Sequence, residues 1–541
     1  MNCRFLRAAA AFLLAGAMLF TLAGCRESES GNDPKKGFNG YFTSVISGSP
    51  GTLDPQTCTG DAASQVIANV FRGLYRTADG GKAVPAMAQS VSVSENGLVW
   101  NFTLTPGVMW YGSDFSAECT ADDFVFGFQR LMNPALRSER AKEYYCIKNA
   151  EQINTGLIKD LTALGVEAVS DYELRITLNE PRTDFEQLLA APPAMPCNRD
   201  FCEHTEGQYG LVEECVGSNG AFYISKWHYD KWVKDGNFIE MRRNELNAEM
   251  LNTAPRAVKL LINADGYESF LNGVTDVYRT SVPDEIFRLS GKYGSNAYSD
   301  GVWGVLFNCG GVFASADLRI ALGGFVGADT DGGIYSPADC IIPDTALIGE
   351  LNYRAAAGMP TRVSYSEDEL PERGLRAMRT LEDGALSGMR LIVPEGTALK
   401  QSMGNVIQQW QKNFGVYCMM TELSAGDYVS ALQNGSFEAA LVRLGGNGSA
   451  VSYLTCFASS SSRNYGRSES AKLDDILNGA LTAQTDTSAA GSCLEAEQFV
   501  LDSSLFAPLC FEKEYVFTGA GISGIEYDPS CGGFIFAGAT E

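Results

Sequence analysis

The chain has 541 residues, of which 45% are hydrophobic and 20% are charged, a composition typical of globular proteins. It is too long for one compact domain and long enough to bury a large core. The net charge of −24 and the lack of a basic stripe argue against nucleic acid as a partner, because phosphates are neutralised by lysine and arginine.

The N-terminus has the pattern of an export signal. Arg4 and Arg7 precede an apolar run over residues 8–22, which at roughly 15 residues suits a secretory signal better than a spanning helix of about 20. The run ends in Leu-Ala-Gly before Cys25, which resembles a bacterial lipobox. We expect a signal peptide at 1–24, then a lipidated Cys25 and a flexible tether at 25–37; an ordinary signal peptide cleaved nearby is the alternative.

The fifteen cysteines do not by themselves define a set of disulfide bonds. Thirteen remain without Cys3 and Cys25, an odd number, so disulfides and free buried thiols both stay open. Four residues of the kinds that bind zinc lie close together in the sequence, but their spacing matches no common zinc module; they are Cys197, Cys202, His204 and Cys215. The acidic stretch 329–333 departs from a calcium loop and predicts a surface turn. We expect no metal and no cofactor.

The spacing of apolar residues predicts strands and a helix in the first half of the chain. Apolar residues alternate over 98–104 and again over 172–178, as in strands with one buried face. Thr120 is a good N-cap with Asp123 three residues on, and this pattern begins a helix that Asn133-Pro134 should stop.

A second α/β pattern fills the later half. Strands are predicted at 391–393, 416–423 and 439–444, with helices at 399–414 and 427–433 between them; Gly415 suits the end of the longer helix. Strands alternating with helices imply a largely parallel sheet with both faces covered.

Catalytic signals are weak. The chain has two histidines and contains no Gly-x-Ser-x-Gly, HExxH or Walker A sequence. We therefore expect a protein that is not an enzyme, with an extracytoplasmic hydrolase as a less favoured alternative.

Ordered blocks carry a family resemblance across nearly the whole chain after the tether. In the first stretch they are GTLDPQ at 51–56, VFRGLY at 70–75, AVPAMA at 83–88, VMWY at 108–111, TADDFVF at 120–126 and LMNP at 131–134. Later blocks include SNGAFY at 218–223, Asp276-Val277 and ADLRIAL at 316–322. The set resembles the bacterial extracellular solute-binding proteins of family 5, the oligopeptide- and dipeptide-binding lipoproteins of ABC importers.

The resemblance implies an α/β fold of two lobes, like periplasmic binding proteins, with an extra domain and a ligand cleft between the lobes. Lobe I would combine 38–60, 196–299 and 511–541, with the extra domain at 61–195 and the second lobe at 300–510. Two chain crossings, near 298–308 and 508–512, would act as hinges.

The resemblance also implies a ligand loop after the strand at 439–444. Arg443, Leu444, Gly445, Gly446 and Asn447 fall where relatives pair their backbone with a peptide, and Asn447 takes the place of the aspartate that accepts the peptide ammonium. A neutral amide supports an ammonium poorly, because a buried charge needs an opposite charge. Arg443 suits an anionic group instead.

Further candidate ligand residues are Ser49, Gly51, Tyr145, Tyr298, Trp303 and Phe511, each at or beside a position that lines the family's cleft. The implied function is capture of peptides by cleft closure and delivery to the permease subunits of an ABC transporter. We expect a monomer that is held to the outside of the cell membrane by its lipid alone. The main alternative is a divergent binding lipoprotein or sensor for a non-peptide solute or a signalling peptide.

Overall fold

The computed structural model describes residues 40–541, except 113–114, 234, 328–334, 362–364, 366–367, 447 and 462. Within it, Gly40–Glu541 forms one compact unit. The expected signal peptide, the lipidated Cys25, the tether, the turn at 329–333 and Asn447 lie outside the described residues.

Twenty-three strands occur in the described part of the chain. They are β1 (Tyr41–Ile46), β2 (Tyr75–Thr77), β3 (Ala83–Pro85), β4 (Ala88–Val93), β5 (Val99–Leu104), β6 (Met109–Gly112), β7 (Phe115–Glu118), β8 (Val166–Ser170), β9 (Glu173–Thr177), β10 (Phe222–His228), β11 (Phe238–Arg243), β12 (Ala257–Ile262), β13 (Val277–Thr280), β14 (Gly294–Phe307), β15 (Tyr335–Pro337), β16 (Leu347–Ile348), β17 (Leu351–Asn352), β18 (Met389–Pro394), β19 (Cys418–Leu423), β20 (Ala439–Gly445), β21 (Phe506–Thr518), β22 (Glu526–Asp528) and β23 (Gly533–Ile535).

The α-helices of the same residues are mostly short in the first half and longer in the second. They span Asp61–Val70, Ala121–Met132, Ala150–Asn154, Phe185–Ala190, Arg199–His204, Gly266–Leu271, Pro283–Leu289, Ala316–Gly323, Tyr353–Ala357, Glu369–Met378, Lys400–Phe414, Ala425–Asn434, Ala450–Leu454, Ala471–Leu481 and Asp486–Asp502. Single 3₁₀ turns lie at Asp79–Gly81, Ala141–Tyr144, Leu161–Ala163, Pro192–Ala194, Glu213–Cys215, Val312–Ala314 and Thr455–Phe457.

Two sheets organise the first half of the chain. One has the order β1-β12-β11-β10, with β1 parallel to β12 and the other pairs antiparallel. The second is the antiparallel sheet β4-β5-β9-β8, and its strands β5 and β9 confirm the alternation predicted for 98–104 and 172–178. The predicted capping box is also confirmed, because Thr120 and Asp123 cap the helix Ala121–Met132.

The later half builds a mixed sheet in the order β13-β21-β14-β20-β18-β19, with β15 also paired to β21. The predicted strand–helix–strand–helix–strand unit is confirmed, and β18 pairs in parallel with both β19 and β20. The expectation of a largely parallel sheet is wrong for the whole, because β14, β21, β13 and β15 join antiparallel. These strands come from distant parts of the sequence, so local periodicity could not reveal their direction.

Both faces of this mixed sheet are covered, as predicted. Val302, Ile392 and Val442 point into one apolar core, whereas Val305 and Leu441 point into the core on the other face. A third core joins β1, the four-stranded sheets and the helix Ala121–Met132 in the first half. The fold is therefore α/β and two-lobed, with its lobes built on separate cores.

The described cysteines, from Cys58 to Cys531, are all free thiols. Burial raises the pKa of most of them, for example that of Cys146 to about 12. Of the two interpretations left open by the sequence, the structure thus favours buried thiols. Within the described residues, no His, Cys, Asp or Glu side chains group as a metal site would need, and no helix is long and apolar enough to span a bilayer.

Candidate ligand cleft

Two long neighbouring strands connect the lobes. β14 and β21 run antiparallel; β13 pairs with β21 beside the start of β14, and β20 pairs with the last seven residues of β14. The predicted crossings near 298–308 and 508–512 fall largely within these two strands. The exact domain boundaries given above stay a prediction.

A cavity of about 810 Å³ has walls from both lobes. One wall comes from the helix Asp61–Val70 and the loop after it, the loops around 140 and 182–195, and the C-terminal segment 526–538. The other wall comes from residues 452–463 and the end of the helix Ala471–Leu481. This volume falls within the range of about 300–1,000 Å³ found for ligand sites.

Contacts around the cavity hold the lobes together. The Lys82 ammonium lies 3.1 Å from the Glu350 carboxylate. Thr183 donates its backbone N–H to the Leu481 carbonyl at 2.8 Å, which joins the loop of one wall to the helix of the other. The two lobes are therefore in direct contact beside the cavity.

The turn at Asp79–Gly81 takes part in this closure. Tyr298, on β14, donates its hydroxyl to Asp79 Oδ1 at 2.8 Å. Gly448, just past β20, packs so closely on the turn that a Cβ there would lie 3.2 Å from the Gly81 carbonyl carbon. Gly448 also has a φ of +76°, a conformation that favours glycine.

Three ion pairs line the cavity wall. The Arg182 guanidinium forms an ion pair with the Asp184 carboxylate at 2.7 Å, and Arg140 pairs with Glu143 at 2.9 Å. Arg76, on β2, pairs with Glu526 and so links β2 to β22. These six charges are therefore balanced within the protein.

Four further charged side chains of the wall lack such balance among the described residues: Arg72, Lys142, Arg463 and Asp528. Arg72 makes one side-chain hydrogen bond, from Nη2 to the Ala86 carbonyl at 2.7 Å, and its buried Nε has no acceptor. Burial and, second, the neighbouring Arg76 charge lower the pKa of Arg72 to about 10. Asp528 is 4% exposed and accepts the Ser530 N–H, and burial raises the pKa of its carboxyl.

The residues predicted to contact ligand are engaged with neighbouring groups of the protein. Arg443 donates from Nε to Glu512 Oε2 at 2.7 Å. Leu444 packs partly buried against a second-lobe core, and Gly445 ends β20. Gly446 lies so close to Tyr453 that a Cβ there would come within 1.9 Å of the ring.

The other predicted ligand residues are spread over the fold. Ser49 and Gly51 follow β1, and Tyr145 donates its hydroxyl to Asn154 at 2.8 Å in the extra domain. Trp303 packs partly buried against a second-lobe core. Tyr298 and Phe511 line a second, smaller cavity of about 550 Å³ beside the connecting strands.

None of the ten described candidates lies on the wall of the large cavity, so the structure does not bring them together there. Their role as ligand contacts stays a prediction. Arg72, Arg76 and Asp528 were not among the residues predicted from the sequence, although Arg72 follows the helix Asp61–Val70 and Arg76 lies four residues on, in β2. Two arginines four residues apart, one just after a helix and one in the next strand, are the signal that could have identified Arg72 and Arg76.

Comparison with known proteins gives one family. Residues 82–324 match the model of the bacterial extracellular solute-binding proteins, family 5 Middle. The probable deoxycholate-binding periplasmic protein YgiS of Escherichia coli is 27% identical over 483 residues, 85% of each chain. The oligopeptide-binding protein OppA of Bacillus subtilis is 24% identical over 539 residues, 94% of this chain and 95% of the relative.

Solved structures share the fold. Haemophilus influenzae OppA in complex with RPPGFSPFR superimposes with a TM-score of 0.75 at 19% identity, over 92% of this chain and 98% of that one. The murein tripeptide binding protein MppA of Escherichia coli gives a TM-score of 0.74 at 22% identity, with the same coverage. By its matched segment and its full-length relatives, the chain is similar to the bacterial extracellular solute-binding proteins of family 5.

Proposed function

We propose that this chain captures peptides in the cavity between its lobes and delivers them to the permease subunits of an ABC importer. The observation that carries the proposal is the cavity of about 810 Å³, whose walls come from both lobes. A ligand that contacts both walls stabilises the closed arrangement relative to an open one, which gives the permease a ligand-dependent surface to recognise.

The relatives support peptides as the ligand class. Oligopeptide-binding OppA of Bacillus subtilis aligns over most of both chains, as does the dipeptide-binding protein of Lactococcus lactis at 25% identity over 519 residues. The family binds solutes rather than transforming them, so the proposal contains no reaction step.

The N-terminal pattern supports an extracytoplasmic site of action. In the proposal, Cys25 carries the lipid that holds a monomer to the outer side of the cell membrane. Metabolic labelling with a radioactive fatty acid tests this step: the full chain should incorporate label, and a Cys25→Ser variant should not.

A non-peptide solute is the second candidate. It is favoured by the probable deoxycholate-binding relative, which aligns over 85% of both chains. A carboxylated steroid and a peptide would use the same cavity but differ in the donors and acceptors that they need.

Thermal unfolding with candidate ligands tests the proposal. The chain from residue 26 onward contains the whole compact unit Gly40–Glu541 and is compared with di- to hexapeptides, their N-acetylated forms and sodium deoxycholate. A ligand at 100 times its Kd should stabilise the chain by about 2.7 kcal/mol. A melting shift with peptides supports the proposal; a shift with deoxycholate alone supports the second candidate and contradicts the first.

A further inference from the structure

The cleft has a charge balance opposite to that of the chain. The chain has 41 lysines and arginines against 65 aspartates and glutamates, whereas the cavity wall carries six basic and four acidic side chains. The three ion pairs described above use three of each. Arg72, Lys142 and Arg463 remain on the wall without a carboxylate partner among the described residues.

Arg72 is the most buried of these three cations, and its backbone is fixed. Asn219 is fully buried and clamps it from both sides, because its Oδ1 accepts the Arg72 N–H and its Nδ2 donates to the Arg72 carbonyl, each at 2.9 Å. Gly73, the next residue, packs against Met195, where a Cβ would lie 2.9 Å from the sulfur. The guanidinium is therefore presented to the cavity by a rigid segment.

The surroundings of the Arg72 guanidinium are unusual for a structural arginine. Arg130 shows the structural case in this same chain, since its guanidinium meets both oxygens of Asp54, at 3.0 and 2.8 Å. Arg72 instead meets one neutral carbonyl, and burial together with the like charge of Arg76 lowers its pKa. A partly buried cation without an opposite charge is costly in the empty site and is relieved when an anion binds.

We propose that Arg72 binds a carboxylate of the captured peptide and that the cleft therefore selects peptides with an acidic side chain or a free C-terminus within its reach. This proposal rests on the proposed function. A planar carboxylate suits the guanidinium, whose two terminal nitrogens can donate to both oxygens at once. Lys142 and Arg463 would add to the attraction of anionic peptides into the cleft.

The test is titration calorimetry of the chain from residue 26 onward with matched peptides. The probes are alanine-based tri- to pentapeptides that carry one Glu or one Gln, each as the free acid and as the C-terminal amide. They are titrated into the unsubstituted chain, Arg72→Gln, Arg72→Lys and the control Arg175→Gln. Arg175 is a suitable control because it pairs with Glu167 on the surface of the β4-β5-β9-β8 sheet, away from the cavity.

We expect the unsubstituted chain and Arg175→Gln to bind at least one carboxylate-bearing form about tenfold or more tightly than its neutral counterpart. Arg72→Gln should lose this preference and keep the affinity for neutral peptides within about twofold, whereas Arg72→Lys should retain part of it. If peptide amides with Glu bind more tightly than those with Gln, the bound carboxylate is the Glu side chain. If free acids bind more tightly than the corresponding amides, it is the C-terminal carboxylate.

Two results overturn the proposal in distinguishable ways. If peptides bind without any carboxylate preference, or the preference survives in Arg72→Gln, the assignment of Arg72 is wrong and the proposed function stands. If no peptide binds the unsubstituted chain, the proposed function fails and the inference fails with it. Melting temperatures distinguish a loss of binding from a loss of folding. Arg72→Gln removes an unbalanced charge and should melt no lower than the unsubstituted chain, whereas Arg130→Gln, which breaks an ion pair, should melt lower.

Discussion

Arg443 and Glu512 form an ion pair over the side-chain-free face of Gly301. The three residues lie on the neighbouring strands β20, β21 and β14, and a Cβ on Gly301 would come within 2.5 Å of Arg443 Nε. The guanidinium thus uses the space that glycine leaves and donates to Glu512 at 2.7 Å. Its charge is balanced inside the strands that connect the lobes, in contrast to that of Arg72.

This pair predicts that Arg443 acts on stability more than on binding. Arg443→Gln and Glu512→Gln should each lower the free energy of unfolding by about 1–3 kcal/mol, because each leaves a partly buried charge without its partner. Urea unfolding measures this loss, and calorimetry of the same variants should find peptide affinity within a few-fold of the original. A large loss of affinity in Arg443→Gln alone would instead support the ligand role suggested by the family resemblance.

Glu497 should be a strong determinant of second-lobe stability. Its fully buried carboxylate accepts the backbone N–H groups of Ile341 and Ile342, each at 2.9 Å, and pairs with the Arg354 guanidinium at 2.7 Å. Glu497→Gln leaves Arg354 without its charge partner and should cost about 3–5 kcal/mol.

The control for this variant is Glu495→Gln, which lies on the exposed side of the same helix. It should change the free energy of unfolding by less than about 0.5 kcal/mol. Equal effects of the two variants in denaturant titrations would show that the buried network is not the source of stability.

Asp528 predicts a specific pH dependence. Burial raises the pKa of its carboxyl above the ordinary 3.8, so the folded chain favours the protonated form. The stability that this group contributes is complete below about pH 3.8 and is lost as the pH rises through the raised pKa. The side chain stays neutral in Asp528→Asn. The free energy of unfolding of this variant, relative to that of the unsubstituted chain, should therefore increase from pH 4 towards pH 7.

Urea unfolding at several pH values between 4 and 7 checks this trend. Asp383→Asn is the matched control, because Asp383 lies exposed in a loop. The explanation would be wrong if the difference in free energy of unfolding between Asp528→Asn and the unsubstituted chain did not change with pH, or if Asp383→Asn showed the same pH dependence.

Gly446 should not tolerate a side chain. A Cβ there would overlap the Tyr453 ring, and the ring is 1% exposed in a second-lobe core, so it has little room to move. Gly446→Ala should lower the free energy of unfolding by about 1–3 kcal/mol. Gly491→Ala, in open space within the helix Asp486–Asp502, should instead raise it by about 0.5–1 kcal/mol. If thermal unfolding showed that both substitutions stabilise the chain, or that both destabilise it, the packing described here would be refuted.

The elements that depend on local sequence were predictable from it. The capped helix Ala121–Met132 and the parallel strands β18, β19 and β20 follow from caps and periodicity over short segments. The antiparallel neighbours of β20 were not predictable, because β14 begins 145 residues before β20 begins (439 − 294) and no local pattern fixes its direction.

The candidate site was less predictable, for the same physical reason. Arg443 looked suited to an anion because its partner Glu512 is 69 residues away in sequence and is brought near by β14. Arg72 looked like an ordinary part of a family block, because the absence of an opposite charge becomes visible only when the walls of the cavity meet. Charge balance is a property of the tertiary arrangement.

A variant that blocks the cavity tests whether peptides bind between the lobes. Ser452 lies on the second-lobe wall and is partly exposed, so Ser452→Trp should place an indole in the cavity. The measurement is calorimetric titration of the chain and of this variant with the same alanine-based tri- to pentapeptides. The account predicts one peptide site per chain and its loss in Ser452→Trp at an unchanged melting temperature; unchanged peptide binding in Ser452→Trp, or no binding to either chain, would contradict it.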